Sequence, residues 1–270
     1  MIVKGKRLIF VTNNSTESRN GYKKKIESFG IECTKEEIWG SSFMAAKYLQ
    51  TVHFQKKAYV VGQKGIAEEL AEAGIPWRGV EEHAYFPSAM SDVSHFEVDP
   101  EIGAIVVGLD TKITYTKVAF ALLHLQSDPN CLFVATNPDN TFPSAGGRIL
   151  PGGGTMVKMV EYCSQKTPVI VGKPSQWFLD EIIETYKLDR SRTLMVGDKL
   201  STDILFGNQG KILTLLVFTG VTSPEYLKTQ EFEEQKTYPT YTADSLAHLM
   251  KFAHPDHHEH PEHHAQNIPQ

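Results

Sequence analysis

The feature that most constrains this chain is a repeated alternation: short apolar runs, each ending in a turn, are separated by amphipathic stretches. Runs that short suit strands better than helices, and strands separated by helical patterns pair in parallel through βα units. The expected fold class is therefore α/β. Strands are predicted at residues 7–11, 58–61, 104–109, 132–135, 169–171, 193–196 and 214–218. Helices fill most gaps, among them 65–73, 117–126, 156–164 and 177–186. Residues 81–100 are mixed and turn-rich. Residues 137–154 carry Pro138, Pro143, Pro151 and five glycines, so they read as a long loop; loops of that length are usually functional or disordered. No internal repeat is present.

Composition narrows the classes of function. At 270 residues and 41% hydrophobic content the chain is long enough for one large or two ordinary domains. A formal charge of -5 argues against non-specific nucleic-acid binding, while leaving room for a local basic pocket that takes a small anion. No stretch approaches the roughly 18 uninterrupted apolar residues of a membrane span. The opening MIVKGKRLIF has neither the apolar region nor the small-residue cleavage site of a signal peptide. A cytoplasmic protein with no membrane and no nucleic-acid partner is expected. Cys33, Cys131 and Cys163, odd in number and widely spaced, fit reduced thiols better than a disulfide framework or a zinc site. From His254 the chain holds six of its eleven histidines without apolar periodicity, which predicts a disordered tail over 254–270.

Three motifs carry chemistry, each at the carboxyl end of a predicted strand, where open α/β sheets bind ligands. In RLIFVTNNST the strand delivers Thr12, Asn13 and Asn14 into a turn before a helix. A hydroxyl and free backbone N–H groups there suit a phosphate dianion, although a strand end followed by an N-cap at Ser15 or Thr16 explains the same residues. In VIVGKPSQWFLDEII a strand ends at Gly172, and Lys173 and Pro174 open a helix. A lysine fixed at that edge neutralises phosphate oxygens; its plainer reading is a solvated surface charge. In TLMVGDKLSTDILFGN, Gly197 leads to Asp198, with Asp203 five residues on. Paired carboxylates at a glycine-opened strand end make a hard-oxygen site of the kind Mg²⁺ prefers. A helix cap at Asp198 would not require the second acid.

The order Thr12, Lys173, Asp198 and Asp203 resembles the second, third and fourth motifs of the haloacid dehalogenase superfamily. More narrowly, VTNNST, GLDTKITY, ATNPDNTFP, LPGGGTMV, VGKPS, MVGDKLSTDILFGN and TLLVFTGV are similar to blocks of its capped 4-nitrophenylphosphatase and phosphoglycolate phosphatase branch. The similarity runs from about Arg7 to about Val221. It implies a Rossmann-like parallel-sheet core, in two parts at 1–54 and 167–253, with a large α/β cap inserted at 55–166. It also implies a phosphomonoester hydrolase that works through an aspartyl-phosphate. In that reading Thr12, Asn13 and Asn14 bind the phosphoryl group, Lys173 holds it and the nucleophile, Asp198 ligates Mg²⁺ and Asp203 supports from behind. The implied partner is a small phosphorylated metabolite, and a homodimer through the cap is a further expectation.

The sequence departs from that branch at one point. Its first motif, an apolar strand ending in Asp-x-Asp-Gly, is expected some thirty residues before VTNNST, and no Asp-x-Asp occurs in these 270 residues. The nearest imitation, AIVVGLDTKIT, ends in Asp110 with Lys112 at the general-acid position, and reads as a cap strand. The expectation is a chain truncated at its N-terminus, without the nucleophile and a central strand, whose loss exposes two strand edges. The alternative is a catalytically silent module, or a non-functional fragment, that keeps phosphate and Mg²⁺ affinity through Thr12, Lys173 and Asp198. Substrate choice is expected to rest on 137–148 of the cap. Arg148 there suits a substrate carboxylate as in phosphoglycolate, or is a solvated loop charge.

Overall fold

A computed structural model describes residues 6–84 and 93–248; the tail expected at 254–270 and part of the turn-rich 81–100 lie outside the described residues. Among the described residues, ten short strands, with helices between most of them, make parallel βα units. The centre is a five-stranded, all-parallel sheet in the order β4(Trp77–Gly79), β3(Lys57–Val61), β5(Ile102–Val107), β6(Leu132–Ala135), β9(Val169–Ile170). Strand β5 is IGAIVV with every residue buried, because helices cover both sheet faces and neither side of the strand meets water. Alternate residues divide between two apolar clusters, as the two-residue period of a strand requires. Tyr59, Val61, Ile105, Val107 and Phe133 face α4(Tyr115–Ser127) and α5(Gly153–Ser164). Ala58, Val60, Ala104, Val106 and Val134 face α2(Ser41–Thr51), α3(Lys64–Glu72) and α6(Gln176–Tyr186).

Two smaller parallel sheets flank this body. Strand β1(Phe10–Thr12) pairs with β2(Ile38–Gly40), and β10(Leu194–Gly197), β11(Leu213–Val217) and β12(Tyr241–Ala243) follow in register. Each of β1 and β10 is hydrogen-bonded along one edge, and no pairing joins the two sheets among the described residues. The core sheet is thus split between its second-motif and fourth-motif strands.

The predicted strands are present with ends moved by at most three residues, and the one at 132–135 is unmoved. Two local expectations change. The loop at 137–154 holds an antiparallel hairpin, β7(Thr141–Ser144) with β8(Arg148–Pro151), turned by Gly146 and Gly147 in the left-handed region at φ 69° and 71°. Its base is clamped, since the Gly152 N–H donates to the Asn140 carbonyl at 2.7 Å and the Gly154 N–H to that of Asp139 at 2.8 Å. The core was expected to resume at 167, but Val169 and Ile170 pair with β6 at the edge of the five-stranded sheet. Nor does a thin linker separate the two parts. One apolar cluster runs from Trp39, Met44 and Leu49 through Val60 and Val106 to Phe178 and Phe206.

Candidate functional site

The three motif segments meet at the carboxyl ends of β1 and β10, and Lys173 spans the gap between these strands. Its ammonium donates to Asp203 Oδ1 at 2.5 Å and to the Val11 carbonyl at 3.3 Å. The pair is buried, with side chains 9% and 6% exposed. A lysine so placed is a fixed cation rather than the solvated surface charge of the plainer reading. With two of its three N–H groups committed, the third is left for an anion at the strand ends.

Asp203 reaches this position through a π-turn over Leu200–Ile204, which leads into α7(Leu205–Gln209). Such turns insert one extra residue per turn and recur at functional sites. Its Oδ2 accepts the N–H groups of Asp198 and Lys199, both at 3.1 Å, so both of its oxygens are spent inside the protein. Asp203 therefore positions the backbone that carries Asp198. Asp198 is gripped from a second side by the loop after β11, where the Val221 N–H donates to Oδ2 at 2.8 Å and the Thr222 N–H to the carbonyl at 3.0 Å. Gly220 permits this approach, because a Cβ there would stand 1.9 Å from Asp198 Oδ2. The other carboxylate oxygen accepts no hydrogen bond among the described residues.

In the first motif the hydroxyl oxygen of Thr12 accepts the Asn14 N–H at 3.2 Å, and Asn14 Oδ1 accepts the Thr16 N–H at 2.9 Å. These bonds hold the turn open after β1. Asn13 is used differently from the expectation of a phosphate contact. Its amide N–H groups donate to the Lys173 carbonyl at 3.0 Å and to Asp139 Oδ2 at 2.8 Å, and its Oδ1 accepts the Lys173 N–H at 2.8 Å. Its side chain ties the first and second motifs to one another and to Asp139 at the hairpin base. Its own carbonyl accepts from the Ser41 hydroxyl and from the Asn137 amide.

Two residues that sequence reasoning did not single out join the site. Asp139, from the base of the cap hairpin, receives the Asn13 amide on one oxygen and the Lys199 ammonium on the other at 2.5 Å. Both lie inside motif blocks, but 60 residues separate them and no local pattern pairs them. Three carboxylates (Asp139, Asp198 and Asp203) against two ammonium groups leave the cluster one negative charge, which suits a cation at Asp198. Arg148 stands apart, exposed at the start of β8, with no ion pair among the described residues. Asp110 is buried and paired with Lys117 at 2.7 Å, while its Oδ1 accepts the Lys112 N–H. Both of its oxygens are thereby committed inside the protein. A hollow of about 540 Å³ opens on the α1(Arg19–Glu27) side, and of the sequence-selected residues Asn14 alone lines it.

Mg²⁺ demands an octahedral oxygen shell, usually completed by waters and substrate. Among the described residues no three carboxylate, imidazole or thiol groups converge on a metal-sized point. The residues present fit one protein ligand of such a site, Asp198, and not its whole.

Parallel strand ends that gather a hydroxyl, two ammonium groups and a carboxylate beside parallel α/β sheets define a polar site with the chemistry to bind a small anion. The family model for haloacid dehalogenase-like hydrolases matches residues 2–76, and that for HAD-hydrolase-like proteins matches residues 170–249. The chain belongs to the haloacid dehalogenase-like hydrolase family. It is 41% identical over 251 residues to phosphoglycolate phosphatase 2 of Arabidopsis thaliana, covering 92% of this chain and 83% of that protein. It is 39% identical to glycerol-3-phosphate phosphatase of Gallus gallus, with coverage of 91% and 81%. Against the chloroplastic phosphoglycolate phosphatases 1A and 1B of A. thaliana, at 42% identity, the match spans 66% of their length. Among solved structures, p-nitrophenyl phosphatase from Archaeoglobus fulgidus superposes with a TM-score of 0.77 at 30% identity, covering 92% of this chain and 87% of that one. No helix among the described residues is long and apolar enough to cross a membrane.

Proposed function

We propose that this chain carries the phosphate-binding and metal-binding side of a Mg²⁺-dependent phosphomonoester hydrolase acting on small phosphorylated metabolites. The observation that carries the reading is the buried Lys173–Asp203 pair, set between the turn of Thr12 and the carboxylate of Asp198. Thr12 offers its hydroxyl proton to a phosphoryl oxygen, while the Asn14 and Thr16 N–H groups hold the turn in shape. Lys173 compensates their charge from a fixed position, and Asp203 keeps both Lys173 and the Asp198 backbone still. Such preorganised charge is worth more in a water-poor site than in solution, because it needs no rearrangement as negative charge develops. Mg²⁺, held in part by Asp198, would neutralise phosphoryl oxygens when bound. Substrates of the phosphoglycolate, glycerol phosphate and 4-nitrophenyl phosphate kind are supported by the names of the relatives.

An aspartyl-phosphate route needs an attacking carboxylate, and no Asp-x-Asp occurs among these 270 residues. Asp110 does not fill the role while bonded to Lys117. The intact arrangement of Thr12, Lys173 and Asp198 supports a second reading in which this chain binds phosphate and Mg²⁺ without turnover. Release of 4-nitrophenol from 4-nitrophenyl phosphate with Mg²⁺, lost in Asp198→Asn, would decide for catalysis by the chain itself. Calorimetric binding of phosphate without turnover would decide for the silent module. A folded chain that does neither would sink both readings.

A further inference from the structure

We propose that Asp139 is a resident anion of this site, and that Lys199 and the Asn13 amide form an oxyanion-accepting pair which a ligand phosphate takes over from it. The inference rests on the phosphate-binding reading above. Asp139 reaches in from the cap, and its two carboxylate oxygens are bound by donors from opposite sides of the split sheet. Asn13 follows β1, and Lys199 follows β10 and adjoins Asp198. A carboxylate is thus seated between the two strand ends where a phosphate monoester would sit. The geometry of its donors, one amide N–H at 2.8 Å and one ammonium at 2.5 Å, is what a phosphoryl oxygen asks for. The side chains are 17% and 20% exposed, so the pair is shielded yet reachable.

The backbone of Asp139 is pinned from behind. Its carbonyl accepts the Gly154 N–H, and a Cβ on Gly152 would stand 2.3 Å from that carbonyl. Its side chain is therefore the part free to yield. Exchange of one anion for another on the same donors leaves no buried charge unpaired on the core side, which keeps the swap within reach of a weakly bound ligand. Displacement also cuts the Asp139 tie between cap hairpin and core, so phosphate arrival loosens the hairpin base.

Titration of inorganic phosphate into the full chain and its variants, by calorimetry with folding checked by circular dichroism, tests this. Asp139→Asn keeps the size of the side chain and removes its charge; it is expected to tighten phosphate about fivefold to tenfold. Adding Lys199→Met should abolish that gain, and Lys199→Arg should keep it, which separates a charge effect from a packing defect. If Lys199→Met unfolds the chain, the Lys199→Arg arm and Asp139→Asn alone still decide. Unchanged or weaker phosphate binding in Asp139→Asn overturns the proposal, as does a gain that survives loss of Lys199. If the parent chain binds phosphate and Lys173→Met abolishes binding, but the Asp139 and Lys199 variants are indifferent, this inference falls and the phosphate-binding reading stands. No binding by any folded variant removes both.

Discussion

Lys173 and Asp203 hold one another at a depth where neither is solvated, and the cost of separating them is set by the charge left behind rather than by the bond itself. Lys173→Met leaves a buried carboxylate without its cation and is expected to lower folding stability by about 3 kcal/mol in urea denaturation. The double variant Lys173→Met/Asp203→Asn should lose less than the single one, because the uncompensated charge is gone while an acceptor for the Asp198 and Lys199 N–H groups is kept. Gly220 poses a different single-residue question. A methyl group there pushes the Asp198 carboxylate off its Val221 bond without touching the hydrophobic core. Gly220→Ala should weaken Mg²⁺ binding about tenfold, the usual cost of disturbing an outer support of a ligand. Thermal midpoints should hardly move.

Within α4, His124 shows how one helix makes the fold sensitive to acid. Its Nδ1–H donates to the Phe120 carbonyl at 2.8 Å, and its Nε2 accepts the Asp99 N–H at 3.0 Å. These two bonds require the neutral ring. Burial holds its pKa below the usual value, with the nearby Arg78 pushing the same way, and the Phe120 carbonyl and Asp99 carboxylate opposing. A ring with a depressed folded pKa adds stability that is fully present above the unfolded value and is lost as pH falls towards the folded one. Denaturation midpoints should therefore decline below about pH 6.5, with a slope from this ring of at most about 1.4 kcal/mol per pH unit. Substituting His124→Gln should flatten that part of the profile; an unchanged slope would place the acid sensitivity elsewhere, with His83 the next group whose burial lowers its pKa. The strand β5 and helices α3 to α6 were legible in the sequence because each satisfies its own period against one neighbouring layer. The hairpin in 137–154 was not, because its turn glycines and prolines look the same in an open loop; the bonds that close it run between Asn140 and Gly152 and between Asp139 and Gly154.

Taken as a whole, the molecule has a weak seam. Among the described residues, strands β1 and β10 each leave one edge unpaired, and Leu8 and Leu194 beside them are 46% and 40% exposed. Open parallel edges with apolar neighbours recruit other chains. Sedimentation at rising concentration should reveal self-association, and Leu194→Lys, which adds an edge charge, should reduce it; identical behaviour of the two would assign the association to another surface. The positions of the predicted strands, the three strand-end motifs and the family pattern were legible in the sequence alone, since apolar period and turn chemistry are properties of neighbouring residues. What Asn13, Asp139 and Lys199 do was decided only by tertiary structure. Their bonds join residues 126, 160 and 60 positions apart, and a side-chain donor commits to whichever acceptor the fold brings within 3 Å. A sequence names the donors and acceptors of a site; the packing of sheet against cap determines which of them are already spent.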